Sequence, residues 1–197
     1  GPVNDATELW TVFINACLVN NFVLAYFLGL CPFLGVSAKL ATALRMGIAV
    51  CFVMLISSLA AWGIHHFLEL IGALHLQLIS FIVVIASTVQ LVEMFIRKAS
   101  PALHRALGLF LPLITTNCAI LGLALFQTNR DYDLAQCIAF ALGAGLGFTL
   151  ALTLMAGIRE KLELAELPDM VQGTAITLMI AGILSLSFMG FAGLGAS

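Results

Sequence analysis

Charge is what this sequence has least of. Of its 197 residues only 9% are Asp, Glu, Lys or Arg, while 62% are apolar. A water-soluble domain carries about 25% charged residues, so this composition cannot cover a globule with a solvated surface. A soluble enzyme is excluded. A basic excess is missing as well: 8 Lys and Arg stand against 10 Asp and Glu, a formal charge of -2, which leaves no positive field to hold nucleic acid. No Walker loop, Rossmann turn or Ser-His-Asp constellation occurs, so the chain carries no nucleotide-binding or acyl-transfer signature. The first apolar run has no basic residue before it and contains Asn20 and Asn21, unlike a cleavable signal peptide. Gly1-Pro2-Val3-Asn4-Asp5-Ala6 reads as a leader or tag remnant, which leaves residues 7–197 as a single integral membrane domain.

What is present is apolar length. A bilayer-spanning helix needs about 20 residues, and the gaps between charged clusters predict six: Leu9 to Gly35, Leu40 to His66, Leu74 to Ile96, Leu103 to Phe126, Leu134 to Ile158 and Val171 to Phe191. Assigning alternate connections to opposite sides puts Lys39, Arg45, Arg97, Lys98, Arg105, Arg159 and Lys161 on one face and Arg130 alone on the other. The positive-inside rule makes the first face cytoplasmic and both termini periplasmic. Three spans per half then require any likeness between the halves, about 8–98 and 99–194, to be a 3+3 inverted-topology repeat.

Cys31-Pro-Phe-Leu34-Gly35 and Cys118-Ala-Ile-Leu121-Gly122 share Cys-x-x-Leu-Gly, one copy in the first span of each half. Neither span reads as a plain helix. About 30 residues at about 1.5 Å each would reach about 45 Å, beyond a hydrocarbon core of about 30 Å, so the first span must tilt or break. The expected break points are Asn20-Asn21 and Gly29-Leu30-Cys31-Pro32, because the ring of Pro32 disfavours helix at Cys31. The fourth span carries Pro112 and the polar run Thr115-Thr116-Asn117-Cys118. Unwound backbone at membrane depth survives only where protein or a cavity satisfies it, and broken helices in inverted repeats build sites near the midplane. Cys118 lies about midway between Arg105 and Arg130, hence near mid-bilayer.

Two thiols at such a place have three readings. Cysteine packs well as a small apolar residue, which suffices for Cys17, Cys51 and Cys137 on stretches without polar clusters. A disulfide is disfavoured in a bilayer interior shielded from oxidising machinery. The third reading is a pair of metal or iron-sulfur ligands; a cluster takes four thiolates, so Cys31 and Cys118 would need two more from a partner with the same motif.

Longer runs around these residues carry a family resemblance. Asn20-Asn21-Phe22-Val23-Leu24, Phe27-Leu28-Gly29-Leu30-Cys31-Pro32-Phe33, Gly108 through Ala119 with its Leu-Pro-Leu-Ile-Thr-Thr-Asn-Cys-Ala core, Gly157-Ile158-Arg159-Glu160-Lys161 and Ser187-Phe188-Met189-Gly190-Phe191 resemble the RnfA (RsxA) subunit family of the Rnf complex, from about Thr7 to Leu194. The sibling family is NqrE of the Na+-translocating NADH:quinone reductase. The resemblance implies a multi-pass subunit of the bacterial inner membrane, in a complex that moves electrons between ferredoxin and NAD and couples them to Na+ or H+ translocation. It further implies that Cys31 and Cys118 ligate a [2Fe-2S] cluster shared with RnfE, a homologous subunit of opposite orientation. Flavins and further iron-sulfur clusters would sit on other subunits (RnfB, RnfC, RnfD and RnfG). The cluster surroundings would be Gly29, Pro32, Thr115, Thr116 and Asn117, with freed backbone amides, the two threonines and Asn117 as donors to sulfur. The residues alone also admit a self-contained inverted-repeat secondary transporter.

Two further features are read beside the cysteines. Glu93 stands four residues before Arg97, the spacing of a helical ion pair, yet an ionisable residue in a span is also a candidate for an ion pathway. Asn20 and Asn21 either line such a pathway or satisfy broken backbone. Gly143 and Gly147 form Gly-x-x-x-Gly, which predicts close helix packing in the fifth span.

Overall fold

A computed structural model describes residues 2–193; Gly1 of the expected leader and residues 194–197 of the expected domain lie outside the described residues. Apolar runs free of Pro and Asn form the longest helices, and runs interrupted by them form shorter ones. In chain order these are α1 (Pro2–Ile14), which continues as a π-helical turn (Asn15–Val19), α2 (Phe22–Tyr26), α3 (Leu30–Val36), α4 (Leu40–Ile71), α5 (Gln77–Ala99), α6 (Pro101–Leu107), α7 (Leu111–Thr115), α8 (Cys118–Asn129), α9 (Leu134–Glu163) and α10 (Thr174–Met189). Short 3-10 turns occupy Leu74–Leu76, Gly108–Phe110 and Gly190–Gly193. No strand occurs among the described residues.

Five helical stretches are long and apolar enough to cross a membrane: Leu40–Ile71, Leu74–Ala99, Leu111–Asn129, Leu134–Glu163 and Thr174–Gly193. Each falls on a predicted span. The predicted first span is not among them, because residues 2–36 are divided among α1, the π turn, α2 and α3, none of which is long enough alone. The chain is therefore an all-helical, multi-pass membrane protein. Burial separates centre from rim: the most apolar stretch of α9 is 56% buried, that of α5 22% and that of α10 11%. Leu91 and Phe95 on α5, and Ile183 and Leu186 on α10, are exposed, the inverse of a soluble core and what a hydrocarbon solvent favours.

The pair α4 and α9 forms the frame. Lipid tails are as apolar as leucine, so these helices gain nothing from hiding hydrophobic surface and associate through close van der Waals contact between small residues. A methyl placed on Gly145 of α9 would lie 2.6 Å from the Cys51 sulfur of α4, and one on Gly47 of α4 would lie 2.6 Å from the Thr149 side chain of α9. Each helix thus lends a glycine to the other. The opposite face of α9 receives the first span: methyls on Gly143 and Gly147 would meet the Phe13 and Cys17 carbonyl oxygens, each at 2.6 Å. The predicted Gly-x-x-x-Gly is a helix contact, and its partner is the irregular stretch just before Asn20.

Because that contact is against backbone, Gly147→Ala should overpack it at a cost of about 1–3 kcal/mol, lowering the thermal midpoint in nanodiscs by about 2–12 °C. Gly157→Ala, on the same helix but with nothing within 4 Å, should leave the midpoint unchanged or slightly higher. Equal midpoints for the two variants would refute the packing role.

Candidate functional site

The two broken spans are repaired in the same way. Asn20 donates its amide to the Asn15 carbonyl at 2.7 Å, closing the π turn, and the chain then turns extended at Asn21. The Asn21 side-chain oxygen accepts the Val23 amide at 3.1 Å, capping α2. In the fourth span Asn117 is likewise extended, and its oxygen accepts the Ala119 amide at 3.0 Å, capping α8. Asparagine is suited to this because its side chain imitates a backbone carbonyl two residues on. Both side chains are buried, Asn21 at 1% and Asn117 at 5% exposure. Asn21 also donates to the Gly147 carbonyl at 2.8 Å and to the Cys17 carbonyl at 3.2 Å. The Asn117 amide nitrogen, in contrast, has no hydrogen-bond partner.

A second break in the first span brings the start of α3, which carries Cys31, against Cys118. Phe27 and Gly29 adopt left-handed conformations, with φ of 55° and 76°, and α3 starts at Leu30. Cys31 therefore occupies the first turn of α3, and Cys118 is the first residue of α8. The amide of Gly29 donates to Cys118 Sγ at 2.9 Å. A side chain at Gly29 would strike the ring of Phe148 at 2.8 Å, so the glycine is required both for φ and for room. Phe148 lies at the middle of α9. From this midpoint the half-helices diverge. The far end of α8 reaches the start of α9, where Gln127 and Cys137 share the Ser58 hydroxyl. The far end of α3 reaches the other end of α9, where Arg159 holds the Leu34 carbonyl. Two helix N-termini, each carrying a cysteine, thus face one another at mid-span and point apart. Both thiols are exposed, in a region where the surrounding Phe22, Val23, Phe33 and Ile120 are buried.

Not every expected contact forms. Pro32 does not break the helix at Cys31: the break lies upstream at Phe27–Gly29, and both residues are helical. Pro32 is the third residue of α3, where its missing amide has no intrahelical acceptor to lose. Thr115 and Thr116 are not free donors. Their hydroxyls bond the carbonyls of Leu111 at 3.4 Å and Pro112 at 3.0 Å one turn back, so Asn117 is the side chain in this cluster with an uncommitted donor.

The spaced pair Glu93 and Arg97 forms no ion pair; among the described residues the one contact of that kind joins His66 to Glu69 at 3.8 Å and is ionic only when the imidazole is protonated. Glu93 is half-buried and faces a small cavity with Ala49 and Val53 of α4 and Leu111 and Thr115 of α7. Arg97 lies on the exposed side of α5. Asn20 accepts a long hydrogen bond of 3.5 Å from Tyr26, whereas the groups of Asn21 are committed to backbone. Among the described residues, no three His, Cys, Asp or Glu side chains gather closely enough to hold a metal ion unaided.

Phe148, Arg159 and Ser185, whose hydroxyl donates to the Leu24 carbonyl at 2.6 Å, support this site and were not singled out for it from the sequence. Arg159 alone carried a signal, a cation at the end of an apolar span.

Comparison with known proteins shows the family of the chain. Residues 9–195 match the family described as Rnf-Nqr subunit, membrane protein. The chain is 56% identical over 188 residues to the A-type subunit of the ion-translocating oxidoreductase complex of Syntrophotalea carbinolica, covering 95% of this chain and 97% of that one. It is 51% identical over 189 residues to the protein of the same name from Serratia proteamaculans and 50% identical over 189 residues to that from Yersinia enterocolitica, covering 95% of this chain and 98% of each relative. With nearly the whole chain matched and the cysteine half-helices inside the matched region, this protein belongs to the Rnf-Nqr family of membrane subunits.

Proposed function

We propose that the chain is a membrane subunit of an ion-translocating oxidoreductase complex, and that Cys31 and Cys118 supply two ligands to a [2Fe-2S] cluster shared with a homologous subunit of opposite orientation, the RnfE-like partner. The reading includes the 3+3 inverted-topology arrangement with both termini periplasmic, in the bacterial inner membrane. RnfB, RnfC, RnfD and RnfG subunits would bear the flavins and remaining iron-sulfur clusters.

The observation that carries the proposal is the meeting of two cysteine-bearing helix N-termini at mid-span with both thiols exposed. A cysteine kept for packing would be covered, as Cys137 is. The donor set also fits the group. Thiolates are the ligands such clusters take, and two from this chain leave two for a partner. Cys118 opens the twelve-residue α8, and the N-terminus of a helix favours a negatively charged group. The Gly29 amide already donates to Cys118 Sγ, and the side-chain amide of Asn117, the residue before Cys118, has its hydrogens uncommitted. Such donors stabilise the more negative, reduced state. When bound, the cluster supplies a one-electron relay between the two sides of the membrane. This chain's residues hold it, orient it and keep water away.

Coupling to Na+ or H+ is assigned to Glu93. A carboxylate within a span is costly unless paired or functional, and this one has no ion-pair partner. Its cavity is bounded by Leu111 and Thr115 of α7, the half-helix that ends just before Asn117. That cavity is lined almost wholly by apolar side chains, so the ion is taken by the Glu93 carboxylate itself, where it would feel charge arriving at the cysteines. Asn20, with little bonding of its own, is a further polar group for that path; Asn21 serves it by keeping the break open.

In the purified complex, Cys31→Ala and Cys118→Ala should each abolish one iron-sulfur signal in electron paramagnetic resonance and remove about two iron atoms per complex. Retention of that signal and iron in both variants would sink the assignment. Glu93→Gln should keep the signal but slow ion uptake by about tenfold or more; uptake at the unsubstituted rate would remove Glu93 from the pathway.

A further inference from the structure

The half-helix that carries Cys31 is too short to hold its own position. Seven residues, Leu30–Val36, are well below the length at which a helix persists by its own hydrogen bonds, so the placement of Cys31 depends on the packing of the buried Pro32, Phe33 and Val36 and on what grips the two ends of α3. At the near end the Gly29 amide reaches Cys118 Sγ at 2.9 Å. At the far end Arg159 of α9 donates through one nitrogen to the Leu34 carbonyl at 3.1 Å and to the Ser37 hydroxyl at 3.0 Å. Ser37 is fully buried, with 0% exposure. One turn of chain later the Leu40 amide donates to the Glu160 carboxylate at 2.9 Å. Consecutive residues of α9 thus bind both sides of the α3–α4 junction.

We propose that Arg159 is a positioning residue for the cysteine pair: by clamping the C-terminal end of α3 to α9, it sets where Cys31 stands relative to Cys118. This rests on the cluster reading above. The chemistry favours arginine. The last carbonyls of a helix have no intrahelical partner and carry partial negative charge, so a guanidinium there gains hydrogen bonds and a favourable dipole together. The geometry favours transmission to the site. α9 also holds Phe148, whose ring abuts Gly29, so one rigid helix touches α3 just before its first residue and just after its last. Release of the far end leaves the near end as a pivot; α3, about 10 Å long, is then free to tilt and turn about Gly29, and Cys31, two residues from that pivot, changes the direction in which its thiol points rather than travelling far. The other cysteine is secured by a separate contact, since Gln127 near the end of α8 donates to the Ser58 carbonyl at 2.9 Å and does not involve α9's far end.

The test uses the purified complex in nanodiscs and compares Arg159→Gln, Arg159→Lys and Ser37→Ala with Asp133→Ala. The last removes the capping box at the opposite end of α9, and so weakens the same helix without touching the clamp. Thermal midpoints, g-values of the Cys31- and Cys118-dependent signal, and its reduced-to-oxidised ratio at a fixed applied potential are measured for each. Arg159→Gln is expected to shift the g-values and to change the ratio tenfold or more, which for one electron is about 59 mV. Ser37→Ala should give a smaller change in the same direction. Arg159→Lys, which keeps the charge and one bond, should stand near the unsubstituted complex, and Asp133→Ala should lower the midpoint with spectra unchanged. Unchanged g-values and ratio in Arg159→Gln, or equal changes in Asp133→Ala, overturn the proposal. If Arg159→Gln does not assemble, Ser37→Ala decides, and a spectrum identical to the unsubstituted complex overturns it. Absence of any signal dependent on Cys31 and Cys118 in the unsubstituted complex instead refutes the cluster reading, and this inference with it.

Discussion

A peptide group inside a bilayer has no water to turn to. Each N–H or C=O freed by opening a helix at that depth must find a partner in the protein or cost several kcal/mol. This chain opens its helices at mid-span and meets the demand with side chains that imitate backbone. Asn21 and Asn117 stand in for the carbonyl that a preceding helical turn would have supplied, and Thr115 and Thr116 bond the carbonyls behind them. The result is a pair of helix N-termini, with their free amides and partial positive charge, in a place where a continuous helix would present neither.

The breaks are tolerated because the frame around them is continuous. Helices α4 and α9 interlock through glycines lent in both directions, and α9 presents two more glycines to the irregular first span. Close backbone approach lets a carbonyl of α9, that of Gly147, receive the Asn21 amide. The same small residues that permit contact in lipid therefore also permit the hydrogen bond that stabilises the break. Packing and polar satisfaction are one problem here, solved at one set of positions.

The long elements were legible from composition, because hydrocarbon thickness translates directly into run length. The break positions were legible from local chemistry: paired amides, Gly before Cys-Pro, and a threonine-asparagine run have no other role in an apolar span. The likeness of Cys31 and Cys118 was visible as a repeated Cys-x-x-Leu-Gly. The errors came where local rules met tertiary context. Pro32 reads as a breaker but sits in the first turn of a helix, since the residues before it break first. Glu93 and Arg97 have the spacing of a pair, but the packing of α4 and α7 over one side of α5 separates a half-buried carboxylate from an exposed guanidinium. The threonines read as free donors, yet the nearest carbonyl in a water-free region is one turn back on their own helix.

By itself, then, the sequence determined that this chain lives in a membrane, where its spans lie and where two of them must open, because hydropathy and turn chemistry act over neighbouring residues. Only the tertiary structure decided that the openings meet. The approach of Gly29 to Cys118, the seat of both against Phe148 and the grip of Arg159 on Leu34 and Ser37 join residues separated by most of the chain. Their contact is set by how α9 threads between the first span and α4, and no local pattern encodes that path.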